Sequence, residues 1–290
     1  MLFRPSLALI ALLPPLLAQP NQQRPVDLEA ADCSRSHSSW SDMETAYGTQ
    51  RTSVPFTSAT LEVKPQDNGG VQVVNGTGHA YSITACIAAG APARADAQKL
   101  VDGVRIVVDG NRVTTTGSEN GQRTNVQLVI EAPRDASIRA TTRNGPISFE
   151  DVSGSFTADA SNGPIALRNV SGTVNVRTQN GPISIAGGTG TFDAEAVNGP
   201  VSVSLEGTRW NGRLDARSQN GPLTVSVPQN FTSGVEISSS SHSPWSCRLA
   251  QCRESGTGRD YDSARSLRLG SDPVVVKIST NNGPVAIASR

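Results

Sequence analysis

The tripeptide Asn-Gly-Pro begins at Asn144, Asn162, Asn180, Asn198, Asn220 and Asn282. The first four copies stand 18 residues apart, the next step is 22 and the last is 62. A fixed period near 20 residues restricts a chain to stacked supersecondary units, each resting on its neighbours. No arrangement of unrelated loops reproduces such a spacing.

The content of each unit says what stacks. Behind the tripeptide come Ile147 and Phe149, Ile165 and Leu167, Ile183 and Ile185, Val201 and Val203, and Leu223 and Val225. The residue between each pair is small: Ser148, Ala166, Ser184, Ser202 and Thr224. Period-two alternation marks a strand with one buried face, the apolar pair pointing inward. A second strand closes each unit through Phe156 and Ala158, Val174 and Val176, Phe192 and Ala194, and Leu214 and Ala216. Two strands and two corners in 18 residues predict one flattened coil of a parallel β-helix, with coils about 4.8 Å apart. Asn-Gly is expected to supply left-handed backbone angles at one corner, with Pro fixing the entry to the next strand. Stacked corners should align the asparagines into a column of mutually bonded amides. An antiparallel sandwich of Asn-Gly hairpins is the competing fold, but it gives no reason for identical inner positions at an identical period.

The fold expected is therefore all-β: a β-solenoid of about 18-residue, two-strand coils, with an N-terminal β-rich cap carrying one short helix. Residues 134–290 are assigned to the solenoid, with a loop insertion over 238–268, and 51–133 to the cap and first coils. The whole of 51–290 reads as one continuous domain. Within the cap, Leu61-Glu62-Val63 and Val71-Gln72-Val73 read as a pair turned at Asn68-Gly69. Ala91 to Val101 has the alanines and periodicity of a helix, and Asp109-Gly110-Asn111 marks a hairpin turn.

The N-terminus reads as an address. Arg4 precedes an apolar or proline run from Leu7 to Leu17, and Ala18 offers a cleavage position. The run is short of the roughly 20 apolar residues that span a bilayer, so 1–18 is assigned as a signal peptide and 19–50 as a flexible segment. The expected location is exported, periplasmic or extracellular, with no membrane insertion once the signal is removed. There, Cys33, Cys86, Cys247 and Cys252 are candidates for disulfides. Three connectivities exist; the preferred one closes the short Cys247–Cys252 loop and leaves Cys33 with Cys86. Zinc is the rival reading, since His37 and His242 lie near cysteines, but the spacing matches no compact ligand set. No metal or cofactor is expected. Twenty-five basic and 25 acidic side chains cancel, which gives no drive towards nucleic acid.

Asp159, Arg177, Glu195 and Arg217 stand three residues before successive asparagines, with Glu236 at a similar place in the next segment. Alternating signs at that spacing predict an outward ladder of cross-strand ion pairs. A β-helical polysaccharide lyase or hydrolase would instead need carboxylates converging in a groove, about 5–9.5 Å apart for paired-acid hydrolysis. Glu150, Asp151, Asp193 and Asp215 read as scattered among coils, and His37, His79 and His242 form no nucleophile motif. Ice or mineral binding along Ser148, Ala166, Ser184 and Ser202 would call for a more uniform array. The insertion contains Trp245, Arg248 and Tyr261 beside the two C-terminal cysteines. It is the candidate contact loop, since long loops on rigid scaffolds often carry function; packing over the end of the solenoid is the equal alternative.

The stretch from Ile130-Glu131-Ala132-Pro133 into Arg143-Asn144-Gly145-Pro146-Ile147, the recurring units behind it, and the close at Lys277-Ile278-Ser279-Thr280-Asn281-Asn282-Gly283-Pro284-Val285 resemble the bacterial "putative adhesin" domain family. The resemblance covers roughly residues 50–290. It implies an exported repeat protein of unknown function and transfers no catalytic or binding residue. The function expected is that of an exported, non-catalytic β-solenoid, an adhesin-like binding or structural protein of the envelope or exterior. Its partner would be a glycan, a protein or another copy of itself.

Overall fold

In the computed structural model, residues 33, 40–66, 68–117, 123–240, 243–249, 252 and 265–290 are described. The chain enters along β1 (Glu44–Pro55), then lays down a first coil from β2 (Leu61–Lys64) and β3 (Gly70–Asn75). An excursion follows: β4 (Ala80–Ala91), helix α1 (Arg94–Gly103), the hairpin β5 (Arg105–Asp109) with β6 (Arg112–Thr116), and β7 (Thr124–Ala132). The repeats then supply β8 (Ala136–Thr142) with β9 (Ile147–Glu150) and β10 (Ser153–Ala160) with β11 (Ile165–Arg168). They continue through β12 (Ser171–Thr178) with β13 (Ile183–Ala186), β14 (Thr189–Asn198) with β15 (Val201–Ser204), and β16 (Gly212–Asn220) with β17 (Leu223–Val227). The C-terminal part holds β18 (Gly234–Ser239), β19 (Trp245–Cys247), β20 (Arg265–Leu269), β21 (Val274–Asn282) and β22 (Val285–Ser289).

These strands form two 11-stranded sheets with one core between them. The repeat strands are parallel and pair without slippage: Ile147, Ile165, Ile183, Val201 and Leu223 are successive register partners, as are Phe156, Val174, Phe192 and Leu214. Each of these side chains is at most 1% exposed. The 18-residue period has become vertical stacking, and the β-solenoid expected from it is the fold observed. The parallel register rules out the hairpin sandwich.

At both ends the spatial order departs from the chain order. The first sheet runs β1-β4-β7-β3-β9 at one end and β17-β22-β19 at the other; the second runs β20-β18-β21-β16 and, at its far end, β8-β2-β6-β5. The coil β2/β3 is therefore slotted between β6/β7 and β8/β9. The C-terminal coil β21/β22 likewise fills a slot between β16/β17 and β18/β19. The 62-residue step to Asn282 is thus an ordinary adjacent coil, reached after an excursion that first builds the coil beyond it. At the N-terminal end α1 packs against β1 and β4 through the buried Ala97 and Val101, closing the core.

Several expectations need correction. Leu61–Val63 and Val71–Val73 are not paired with each other; β2 and β3 lie in different sheets, and Asn68-Gly69 is a solenoid corner. Glu44–Gln50, assigned to a flexible segment, belongs to β1, held by its antiparallel register with β4. Its sequence is mostly polar, and only Ala46 and Val54 of the strand are fully buried, so the usual alternation is missing. The 238–268 insertion is partly regular: β19 joins the first sheet and β20 runs antiparallel to β18.

The corner chemistry also differs from its sequence-based account. The Asn-Gly-Pro residues do not take positive φ. The glycines are required by close approach: a Cβ on Gly163, Gly181 or Gly199 would lie 2.2, 2.2 or 2.0 Å from the carbonyl oxygen of the corner glycine one coil earlier. Positive φ is used at the other corner, as at Gly172 (φ 112°). The amide column forms as expected and extends one coil further than the tripeptide reveals. Asn144 Nδ2 donates to Asn68 Oδ1 at 3.1 Å, and the same bond recurs upward through Asn162, Asn180, Asn198, Asn220 and Asn282 at 2.9–3.1 Å. Replacing Asn180 with Ala removes two of these bonds. At about 0.5–1.5 kcal/mol per bond, a loss of about 1–3 kcal/mol is expected in urea denaturation, with the slope unchanged because the folded surface is preserved.

Candidate functional site

The outer face of the second sheet carries the charge. Alternation turns Asp159, Arg177, Glu195 and Arg217 outward on successive strands, as the sequence pattern requires. Arg177 bonds Glu195 at 3.1 Å, but Asp159 bonds Arg139 at 3.4 Å, and Arg217 reaches Asp193 at 3.5 Å and Asp215 at 3.6 Å. The ion pairs therefore run diagonally between two neighbouring columns as well as along one. Glu236 does not continue the ladder of Arg217. Its register partner on β21 is Lys277, which in turn partners Asp215 on β16. The chain order suggested otherwise because β18 follows β17 in sequence, while β21 intervenes in space.

That intervention creates a depression. Above Arg217 the column continues as Ser279 and then Ser238, two short side chains where long charged ones stood on the coils below. An open trough of about 330 Å³ results, lined by Asp215, Arg217, Glu236, Ser238, Lys277 and Ser279. Its floor is three hydrogen-bonded strands, β16, β21 and β18, whose inner residues Ala216, Ile278 and Ile237 are buried. Asp215 is also bonded by Arg213 at 3.2 Å. Among the described residues, neither Lys277 nor Glu236 has an ion pair within 4.0 Å, although they are register partners.

The carboxylates singled out for a catalytic reading are placed as follows. Asp193 and Asp215 are side by side in register rather than scattered, with Arg217 bonded to both. Asp151 sits at a corner with φ 55° and accepts a bond from Asn169 Nδ2 at 2.8 Å. Glu150 is the register partner of Arg168. His79 is exposed; His37 and His242 lie outside the described residues. Among the described residues no three metal-binding side chains gather. Ser184, Ser202 and Thr224 are exposed on the outer face of the first sheet, with Ser148 and Ala166 half-buried.

In the candidate contact loop, the described residues pack over the end of the solenoid. Trp245 is half-buried, packs against the core, and donates from Nε1 to Ser239 Oγ at 2.7 Å. It sits on β19, the last strand of the first sheet, where an indole covers apolar side chains that would otherwise meet water. Arg248 is exposed next to it, and Tyr261 lies outside the described residues. Leu249 and Cys252 are buried in the same cluster, so this end of the insertion packs as a lid on the core. The cysteines pair as Cys247–Cys252 and Cys33–Cys86. The second bridge spans 53 residues and the first only 5. By loop entropy they should stabilise by about 4 and about 2 kcal/mol respectively. The double variant Cys33→Ser, Cys86→Ala is accordingly expected to lower the thermal midpoint more than Cys247→Ser, Cys252→Ala, and a reducing agent should reproduce both effects together.

A family model described as Toastrack DUF4097 matches residues 137–288. Among solved structures, a "putative cell adhesion protein" from Clostridium sporogenes is 12% identical, covering 84% of this chain and 100% of that one at a TM-score of 0.27. A "putative adhesin" from Bacteroides fragilis is 10% identical, covering 84% and 97% at a TM-score of 0.35. A "putative lipid binding protein" from Parabacteroides distasonis is 12% identical, covering 83% and 96% at 0.26. Comparison with curated proteins found no match.

Proposed function

The chain belongs to the Toastrack DUF4097 family, and from that premise we propose that it is a non-catalytic binding protein of the cell envelope or exterior. The observation that carries this reading is the state of the outward carboxylates. Asp159, Glu195, Asp193 and Asp215 each hold an arginine within 3.6 Å. Asp159, Glu195 and Asp193 are committed to arginines on adjacent rungs, which fixes strand register, and Asp215 to arginines of its own strand; together they present a patterned polar surface. Paired-acid hydrolysis needs two carboxylates facing one another across the scissile bond, whereas these four are turned onto arginines of the same sheet face. Two disulfides fit folding in an oxidising compartment, in keeping with the signal-like N-terminus.

Screening the purified protein on a glycan array and against envelope protein extracts tests the reading, with polysaccharide turnover assayed in parallel. The expected result is saturable capture of a discrete ligand without turnover. Cleavage of a polysaccharide at a steady rate would overturn it in favour of a β-helical lyase or hydrolase.

A further inference from the structure

We propose that the trough across β16, β21 and β18 binds a neutral saccharide; the proposal rests on the binding-protein reading and names the site and ligand class within it. Three features of the trough carry it together. The first is composition. Arg217 and Lys277 only donate hydrogen bonds, the carboxylates of Asp215 and Glu236 only accept, and the hydroxyls of Ser238 and Ser279 do both. The formal charges cancel, so a net anion or a net cation gains from one pair and is opposed by the other. A vicinal diol is the complementary group, because each hydroxyl can donate to a carboxylate and accept from a cation at once.

The second feature is that the pattern of ion pairing relaxes here. On the coils below β16, opposite charges in these two columns close on each other at 3.1–3.4 Å, and at the trough's lower edge Arg217 still reaches Asp193 and Asp215 at 3.5 and 3.6 Å. In the trough Lys277 stands between the carboxylate-bearing positions 215 and 236 in strict register. Among the described residues, neither Lys277 nor Glu236 is paired within 4.0 Å. Two serines where the coils below carry Arg217 and Glu195 leave the heads of these side chains accessible from the open side. The third is size and rigidity. A volume of about 330 Å³ is at the small end of ligand sites, about 300–1,000 Å³. Its floor is continuous sheet over a buried core, so binding orders little of the backbone, and the ordering cost is confined to side chains such as Lys277 and Glu236.

The experiment titrates the purified protein with glucose, galactose, N-acetylglucosamine, cellobiose and lactose, and with glucuronate and glucosamine as charged comparators, followed by calorimetry and ligand-observed NMR. At least one neutral sugar is expected to bind saturably and more tightly than either charged comparator. Lys277→Ala and Glu236→Gln should each weaken it five- to tenfold, and Ser279→Tyr, which fills the trough from a solvent-facing strand position, should abolish binding with the thermal midpoint unchanged within a few degrees. Tighter binding of glucuronate or glucosamine overturns the ligand class, as does the absence of binding by every neutral sugar. Sugar binding that survives Ser279→Tyr and Lys277→Ala overturns the site, yet leaves the binding-protein reading standing. If the ligand captured in the wider screen is a protein and no sugar binds, the inference falls and that reading again survives; turnover of a polysaccharide removes both.

Discussion

A chain ending at Ser271 is expected to lose its cooperative fold. The missing segment would be β21 and β22, which fill an interior slot rather than decorate an end. Val276, Ile278, Val285 and Ile287 are at most 1% exposed. Burying each contributes about 1.5–3 kcal/mol, so their loss removes about 6–12 kcal/mol, against a usual total of about 5–15 kcal/mol. It also strips the hydrogen-bonding partners from one side of β16, β17, β18 and β19 together. Circular dichroism melting and limited proteolysis should report a broadened, low-temperature transition and early cleavage. The informative contrast is deletion of 163–180, a nearly equal length taken at the repeat period. That deletion joins Asn162 to Gly181 and sets Phe156 against Phe192 and Ala158 against Ala194, keeping every ladder in register. It brings Asp159 beside Glu195, a like-charge contact of a few tenths of a kcal/mol or somewhat more, yet should still melt cooperatively, as a repeat array shortened by one unit does. If both deletions behave alike, the slot has no special status.

Gly181→Ala is the second large effect expected. The new Cβ would meet the Gly163 carbonyl oxygen at 2.2 Å and its carbon at 2.7 Å. Both are main-chain atoms, fixed by the ladders on either side, so neither can turn away as a flexible side chain would. Relief requires the coils to part locally, breaking the bond from Thr178 Oγ1 to Gly163 O (3.0 Å) and disturbing the amide column. A loss of about 3 kcal/mol or more is expected, read as a fall in urea midpoint. Gly78→Ala is the control: its nearest new neighbours lie 3.8–3.9 Å away, and its effect should be within about 0.5 kcal/mol.

The middle of the molecule was legible because β8 to β17 follow one another in space as they do in sequence, so one period sufficed to place Ile165 on Ile147 and Val174 on Phe156. The ends were not, and the reason is the same at both. Asn68-Gly69-Gly70 lacks the proline and stands 76 residues from its partner Asn144, so it reads locally as a hairpin turn. Val274 to Ile278 resumes the pattern, but no local signal says that it settles below Glu236 rather than above it. The trough depends on that inversion: its walls come from β16, β21 and β18, whose adjacency no linear spacing encodes. Between the two readings of the Trp245 loop the sequence could not choose for a related reason, since whether an indole meets solvent depends on which coil ends the stack.

The slotted coil also sets a clock. Polypeptides are made and handed across membranes from their N-terminus, so Val235 and Ile237 emerge well before Val276 and Ile278, the residues that separate them from Leu214 and Ala216. Until the residues of β21 and β22 have emerged, β18 and β19 have no complete floor to rest on. Completion of the stack thereby waits for the segment from Val274 to Ser289, which acts as its keystone.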